Sequence, residues 1–358
     1  MRKSGMVFVA LLAVIVVGFG AAAGDTLRIW HFDVDQADST LIVTPGGHAV
    51  LIDCGEGSWN GVGKSDAVAA EIAQILPRPA LDMVILTHLA VDHVGMPGHG
   101  GVWRLLEVHE IAVGSILTRD FVALPGNTAE RTYEEWRAYL SSTASDFLWS
   151  IPSLGQVFDF GDGVSLTVCS IDGNGAFDAG ADGGAPEEND LCLGVLVSYG
   201  EYQEWIGGDL SGAIEIEAAR HIGDVEVLRV NHHGSKNSSG EVFLGNLDPE
   251  VSIISVGEGN RYEHPHTSTL DGLLATSDVY ITAACDGNPV CRDAAVAGAG
   301  GSFLIHWTGG NIVVETDGAA YWVNGTEYTA LTPDRIDSDG DGYFVEVDPD
   351  DEDPSVTP

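Results

Sequence analysis

The chain has 358 residues, 54 of them acidic and 15 basic, for a formal net charge of −39 at neutral pH. Such a surface repels polyanions at long range, so contact with nucleic acid requires a local basic patch or bound cations. Solubility in a salty or calcium-rich medium accounts for the same charge without any partner.

The amino terminus reads as an export signal. Arg2 and Lys3 precede an uncharged stretch from Met6 to Phe19 and the small residues Gly20-Ala21-Ala22-Ala23, the order of a secretory signal peptide cleaved after Ala23. An uncleaved anchor is the alternative, because the apolar stretch is nearly long enough to span a bilayer. No later segment is. Cleavage leaves 13 basic against 54 acidic residues, a net charge of −41, and predicts a secreted, periplasmic or cell-surface protein with no stable membrane insertion.

The next segments alternate apolar runs with turns: Leu27 to Trp30, Thr40 to Val43 and Ala49 to Ile52 read as a strand followed by a hairpin. Lys64 to Leu76 places Val68, Ile72 and Ile75 at helical spacing and stops before Pro77. Met83 to Leu86 is a buried strand ending at a polar loop. Further along, Tyr133 to Leu140 is helix-like. Ser165 to Cys169, Leu193 to Tyr199, Glu204 to Ile206, Val225 to Val230, Val251 to Val256, Phe303 to His306 and Ile312 to Thr316 are strand-like. The stretch from Asp172 to Asp190, rich in Gly, Ala and Asp, reads as a surface loop. Strands interleaved with helices over some 300 residues predict one α/β domain with two sheets between helices.

Five cysteines stand at 54, 169, 192, 285 and 291. The spacing of Cys285 and Cys291 suggests a disulfide across a turn, and the odd count leaves one thiol over. No Cys-x-x-Cys pair points to a thiolate zinc site.

From Pro333 to Pro358 the chain holds ten acidic residues and one basic, headed by Asp337-Ser-Asp339-Gly-Asp341-Gly342. Aspartates at loop positions 1, 3 and 5 with glycine at 6 are the spacing that wraps calcium, with Asp348 at position 12. A disordered acidic tail is the alternative. The run resembles the Asp-rich metal-binding repeat at the ends of many secreted bacterial proteins, which implies a stability or attachment appendage.

Four separated stretches carry the chemistry. Thr87-His88-Leu89-Ala90-Val91-Asp92-His93 ends the Met83 to Leu86 run; WIGGDLSG presents Gly208-Asp209; LRVNHHGSKNSS presents Asn231-His232-His233-Gly234-Ser235; SVGEGNRYEHPHT presents Gly259-Asn260 and His264-Pro265. Each time a strand-like run delivers His or Asp into a Gly-rich turn, which is how a sheet gathers side chains at one edge. Imidazole and carboxylate together suit zinc or manganese. Such an ion lowers the pKa of a water it holds from about 15.7 towards roughly 7.

These motifs, with WHFDVDQADSTLIVTPGGHAVLIDCGEG at the start, resemble the metallo-β-lactamase superfamily, and more closely the hydrolase domain of ComEC-type DNA-uptake proteins. The resemblance covers nearly the whole mature domain, in the family's order. It implies an αββα sandwich over residues 24–332, between the 1–23 leader and the short acidic C-terminal tail. It also implies metal ligation by His88, Asp92, His93, Asp209 and His232, with Asp209 between two ions and His232 the third ligand beside Asp92 and His93. Asp92 and His264 are the expected catalytic residues; His264 assists charge or proton transfer. His233, Ser235 and Lys236 stand ready to meet an anionic oxygen. His31, His48, His99, His109, His221, His266 and His306 read as ordinary surface or packing residues.

Two departures from the family pattern bear on function. Ala90 stands where many superfamily members have a second early histidine, although ComEC-type members share this His-x-x-x-Asp-His form; one or two ions remain open. Val34-Asp35-Gln36-Ala37-Asp38 replaces the family's Val-Gly-Gln-Gly-Asp, which adds bulk and negative charge at Asp35 if that loop approaches substrate. The expected function is an exported metal-dependent hydrolase, with a zinc- or manganese-activated hydroxide attacking a phosphodiester such as DNA. Its rivals are a hydrolase of small phosphoesters or other esters and a non-catalytic surface-binding module. Calcium is expected at Asp337, Asp339 and Asp341.

Overall fold

The computed structural model describes residues 26–58, 60–123, 131–143, 148–175, 187–284 and 303–330. The leader, the Cys285/Cys291 pair and the acidic tail with Asp337, Asp339 and Asp341 lie outside them. Cys54, Cys169 and Cys192 are buried thiols, with no disulfide among the described residues.

The first half runs β1 (Leu27–His31), β2 (Thr40–Val43), β3 (Ala49–Ile52), α1 (Gly63–Ile75), β4 (Ala80–Leu86), one turn of α2 (Val91–Val94), the short pair β5 (Gly95–Met96) and β6 (Gly100–Gly101), α3 (Val102–Glu107), β7 (Ala112–Thr118), α4 (Arg131–Ser142) and β8 (Leu148–Ser150). A second half follows with β9 (Val157–Asp159), β10 (Val164–Ser170), β11 (Gly194–Tyr199), β12 (Tyr202–Ile206), α5 (Gly212–Ala219), β13 (Val227–Arg229), α6 (Glu241–Leu247), β14 (Val251–Ile254), α7 (Thr267–Leu273), β15 (Asp278–Ile281) and β16 (Ile305–Trp307). The chain then returns to the first sheet through β17 (Ile312–Thr316), β18 (Ala320–Val323) and β19 (Thr326–Thr329). Two large sheets result, in the orders β19-β18-β17-β1-β2-β3-β4-β7-β8 and β16-β15-β14-β13-β12-β11-β10-β9.

Three apolar layers make this an αββα sandwich. Between the sheets lie residues such as Ile29, Ile42, Ile85, Leu166, Val195 and Ile253. Outside the first sheet, Val84 and Leu86 pack with Val68 and Ile72 of α1, Leu105 of α3 and Trp136 of α4. Outside the second, Leu228 and Ile254 pack with Ala218 of α5, Phe243 of α6 and Leu270 of α7. Strand β4 is covered on both faces, which is why Met83 to Leu86 is continuously apolar rather than alternating. In α1 the buried Val68, Ala69 and Ile72 share one face. Its first turn receives the Glu56 carboxylate, which accepts from the Ser65 backbone N–H at 2.8 Å. No helix among the described residues is long and apolar enough to cross a membrane.

Pairing is parallel from β3 through β4 and β7 to β8 and from β12 through β13, β14 and β15 to β16. Loops at the carboxyl ends of such strands emerge at one edge, where side chains from distant parts of the chain can meet. Several elements were not apparent in the sequence. β7 carries Gly114 and Ser115 in mid-run, and a Cβ at Gly114 would come within 2.6 Å of the Asp82 carbonyl oxygen, so close strand contact replaced an apolar residue there.

Candidate metal centre

The loops following β3, β4, β12, β13 and β14 converge. Asp53 directly follows β3, His88 follows β4, Asp92 and His93 lie on α2, Asp209 follows β12, His232 and His233 occupy the turn after β13, and His264 follows β14. His88, His93, Asp209 and His233 are at most 4% exposed. Asp92 and His232 keep 26% and 24% of their side chains in solvent, so the cluster opens on their side.

Asp209 is the middle of the arrangement. Its Oδ1 lies 2.9 Å from His93 Nε2 and 3.7 Å from His233 Nε2. Its Oδ2 lies 3.6 Å from His232 Nε2 and 4.0 Å from His88 Nε2. Asp92 Oδ2 stands 3.6 Å from His233 Nε2. Each carboxylate oxygen of Asp209 thus faces its own pair of imidazoles.

The opposite ring nitrogens are held from behind. His93 Nδ1 is 2.9 Å from Asp53 Oδ2, and Asp53 also accepts from the Thr87 backbone N–H at 2.9 Å and from its hydroxyl at 2.5 Å. His233 Nδ1 donates to the Ser255 carbonyl at 2.9 Å. Thr87 Oγ1 is 3.2 Å from His88 Nδ1, and the Asn189 amide is 3.5 Å from His232 Nδ1. The Asp53 carboxylate and the Ser255 carbonyl are acceptors for Nδ1 of His93 and His233, which turns Nε2 of those two rings towards the centre as the metal-binding nitrogen.

Those inward atoms are the test of whether a metal fits. His88 Nε2, His93 Nε2, His233 Nε2 and Asp209 Oδ1 are buried and have no hydrogen-bond partner among the described residues. Four such atoms around one point would be costly unless an ion satisfied them. Asp38, His93, Asp209 and His233 bring ligand-type atoms within 4.8 Å of one another. Imidazole and carboxylate donors around a common point are the set that zinc or manganese accepts, so the residues fit.

Within that group Asp38 plays a supporting part. Its carboxylate is ion-paired with the buried Arg229 and lies on the Nδ1 side, 3.8 Å from His93 and 3.6 Å from His233. Arg229 is the one basic residue inside the run Val225 to Val230, a signal visible in the sequence but not interpreted there. Asp53 was missed because one aspartate after a strand says nothing by itself.

The electrostatics follow from this crowding. Burial alone would depress His93, but the Asp209 and Asp53 carboxylates outweigh it and raise His93 well above the usual histidine range. Burial would raise Asp209, but the His93, His232 and His233 rings hold it well below the usual carboxylate range. His88 is driven well below its ordinary value, first by burial and then by His93.

One placement differs from the sequence expectation. The imidazole beside Asp92 and His93 is His233, and His232 joins His88 on the other side of Asp209. Consecutive residues diverge because both take left-handed backbone angles, φ 51° and 54°, in the tight turn after β13. His232 thereby faces the same Asp209 oxygen as His88. Ser235 is buried and Lys236 exposed at the end of this turn. Asp35 takes a left-handed φ of 64°, the conformation for which glycine is the usual residue, and its carboxylate is 3.6 Å from Lys64 Nζ.

No family model matches the chain. Among curated proteins it is 26% identical over 265 residues to recombination protein 2 of Haemophilus influenzae, covering 74% of this chain and 29% of that protein. It is 44% identical over 204 residues to ComE operon protein 3 of Bacillus subtilis, covering 54% of this chain and 22% of that protein. The chain therefore spans less than a third of these relatives. Among solved structures, zinc-bound PqqB from Methylobacterium extorquens aligns over 70% of this chain and 97% of its own at 13% identity and a TM-score of 0.45. The CmlA β-hydroxylase E377D mutant aligns over 83% and 55% at 12% identity and the same TM-score. Two sheets flanked by helices make the chain an αββα sandwich, and its sequence is similar to parts of recombination protein 2 and ComE operon protein 3.

Proposed function

We propose that the chain is an exported metal-dependent phosphodiesterase with two ion positions divided by Asp209. His88, His232 and Asp209 would hold one ion, and Asp92, His93, His233 and Asp209 would hold the other. The observation that carries this reading is the Asp209 carboxylate, whose two oxygens each face two inward imidazole nitrogens. Ions bound there supply Lewis acidity towards a phosphoryl oxygen and an acidified water.

The chain's own groups do the rest. Asp53, Thr87 and the Ser255 carbonyl orient the imidazoles, and the partly exposed Asp92 and His232 mark the side from which a substrate enters. Burial and the adjacent His233 and His232 push His264 down to about 3, so it enters as a neutral ring able to donate a hydrogen bond to a developing oxyanion. The similarity to competence proteins makes DNA the first substrate to test, and the Asp337, Asp339 and Asp341 run is proposed as a calcium-binding attachment segment.

The test is hydrolysis of bis(4-nitrophenyl) phosphate by the zinc- or manganese-loaded protein. Asp209→Ala is expected to lower kcat/KM by about a thousandfold while the circular dichroism spectrum is retained. Unchanged hydrolysis in that variant, or none in the wild type, overturns the reading and leaves a binding module. A panel of DNA, RNA and small phosphomonoesters separates nuclease from small-ester chemistry.

A further inference from the structure

The loop from Gly257 to His266 carries an aromatic ladder that leads out of the metal centre. The His264 ring stacks on His233 at 6.4 Å and 23° and meets His232 edge-on at 5.7 Å. On its other side Tyr262 stacks with it at 5.6 Å and 26°. The Arg261 guanidinium lies 4.7 Å from the centre of the Tyr262 ring and donates to its hydroxyl. Tyr262 is 45% exposed, the one aromatic among the large exposed apolar side chains of the described residues.

This ladder is rigid before any ligand arrives. Asn260 ties the loop together: its amide donates to the Gly257 and His264 carbonyls at 2.9 and 2.7 Å, and its carbonyl oxygen accepts from the backbone N–H groups of Tyr262 and His264 at 3.1 and 3.0 Å. Gln36 accepts from the Gly257 N–H at 3.3 Å, which fastens the loop to the opposite lip. An exposed aromatic held this firmly loses little conformational entropy when something stacks on it.

Flatness, exposure and an adjoining guanidinium are what an unpaired nucleobase requires: bases stack on aromatic rings and on Arg planes, whatever their sequence. The charge fits as well. The Tyr262 hydroxyl first, and the Asp92 carboxylate behind it, raise the pKa of Arg261, so this cation lies within electrostatic reach of the centre where a phosphodiester would be cut. With a net charge of −39, affinity for a nucleic acid has to come from a local contact of this kind.

We infer that Tyr262 and Arg261 form a stacking subsite for an unpaired base next to the cleaved phosphodiester, so that the substrate is single-stranded nucleic acid rather than duplex or a small phosphoester. The inference rests on the phosphodiesterase reading of the metal centre. A duplex keeps its bases stacked on one another and cannot use the platform without unpairing.

Fluorescence anisotropy with the full chain tests it. The probes are a labelled single-stranded thymidine oligonucleotide, its uridine counterpart, an abasic strand of equal length and a duplex, all with phosphorothioate linkages to prevent cutting. The single strands are expected to bind about tenfold or more tightly than the abasic strand and the duplex. Tyr262→Ala should erase that difference and Tyr262→Trp should keep it. Equal binding of abasic and base-containing strands in the wild type, or a preference that survives Tyr262→Ala, overturns the inference. If bis(4-nitrophenyl) phosphate is cut but no base preference exists, only the subsite is lost. If the preference exists without hydrolysis, the phosphodiesterase reading is lost and the platform stands.

Discussion

Asp209 shows how much one side chain can depend on others distant in sequence. Its carboxylate is buried yet charged because the His93, His232 and His233 rings from two loops surround it, while Asp53, Thr87 and Ser255 hold the far nitrogens of the neighbouring imidazoles. Glu250 shows the opposite outcome. One of its oxygens is buried without a hydrogen-bond partner, and burial together with Glu226, Asp224 and Asp248 pushes its carboxyl up from the ordinary 4.5 to about 8. Between those values the unfolded chain is ionised while the folded one stays protonated, so stability falls as pH rises from 4.5 to 8. Glu250→Gln removes that dependence. The variant should melt at a higher temperature than wild type at pH 8 and at nearly the same temperature at pH 4.5; equal melting curves at pH 8 would refute the assignment.

At the scale of elements, the single turn of α2 works because the loops after β1 and β3 strap it down. Cys54 N–H donates to the His93 carbonyl at 2.8 Å, Glu56 N–H to the Val91 carbonyl at 3.0 Å, and Asp38 N–H to the Asp92 carbonyl at 2.8 Å. Gly55 sits against this strap so closely that a Cβ would lie 1.7 Å from the Asp92 carbonyl oxygen. No flexible side chain can give way there; backbone would have to move. Gly55→Ala is therefore expected to weaken zinc binding at least about tenfold in a chelator competition, since α2 carries both Asp92 and His93. It should also lower the melting temperature. Wild-type zinc affinity in a folded variant would show that α2 tolerates the shift.

For the whole molecule, the metal centre lies where the two halves of the sandwich meet. His88, Asp92 and His93 belong to the half built on the first sheet, and Asp209, His232 and His233 to the half built on the second. Ions there would clamp one sheet to the other as well as serve chemistry. Removing them with a chelator should lower the melting temperature by about 5–10 °C, with recovery on adding zinc. An unchanged melting curve would mean that the clamp contributes nothing to the native state.

What the sequence determined by itself was local. Unbroken apolar runs such as Met83 to Leu86, helical spacing in Lys64 to Leu76, and histidines and aspartates delivered into Gly-rich turns all announce themselves within a few residues, because neighbouring side chains share one surface. β1 to β4, α1, α4 and β17 were legible for that reason. Short elements such as α6, α7 and β15 were not, since so few residues carry no measurable period. Which of two adjacent histidines stands beside Asp92, that Asp38 is neutralised by Arg229 nearly two hundred residues away, and that Tyr262 stacks on His264 at the mouth were decided only by the tertiary structure. Each depends on the direction in which a side chain leaves a tight turn and on what the opposite sheet brings to meet it, and neither quantity is written in residues adjacent along the chain.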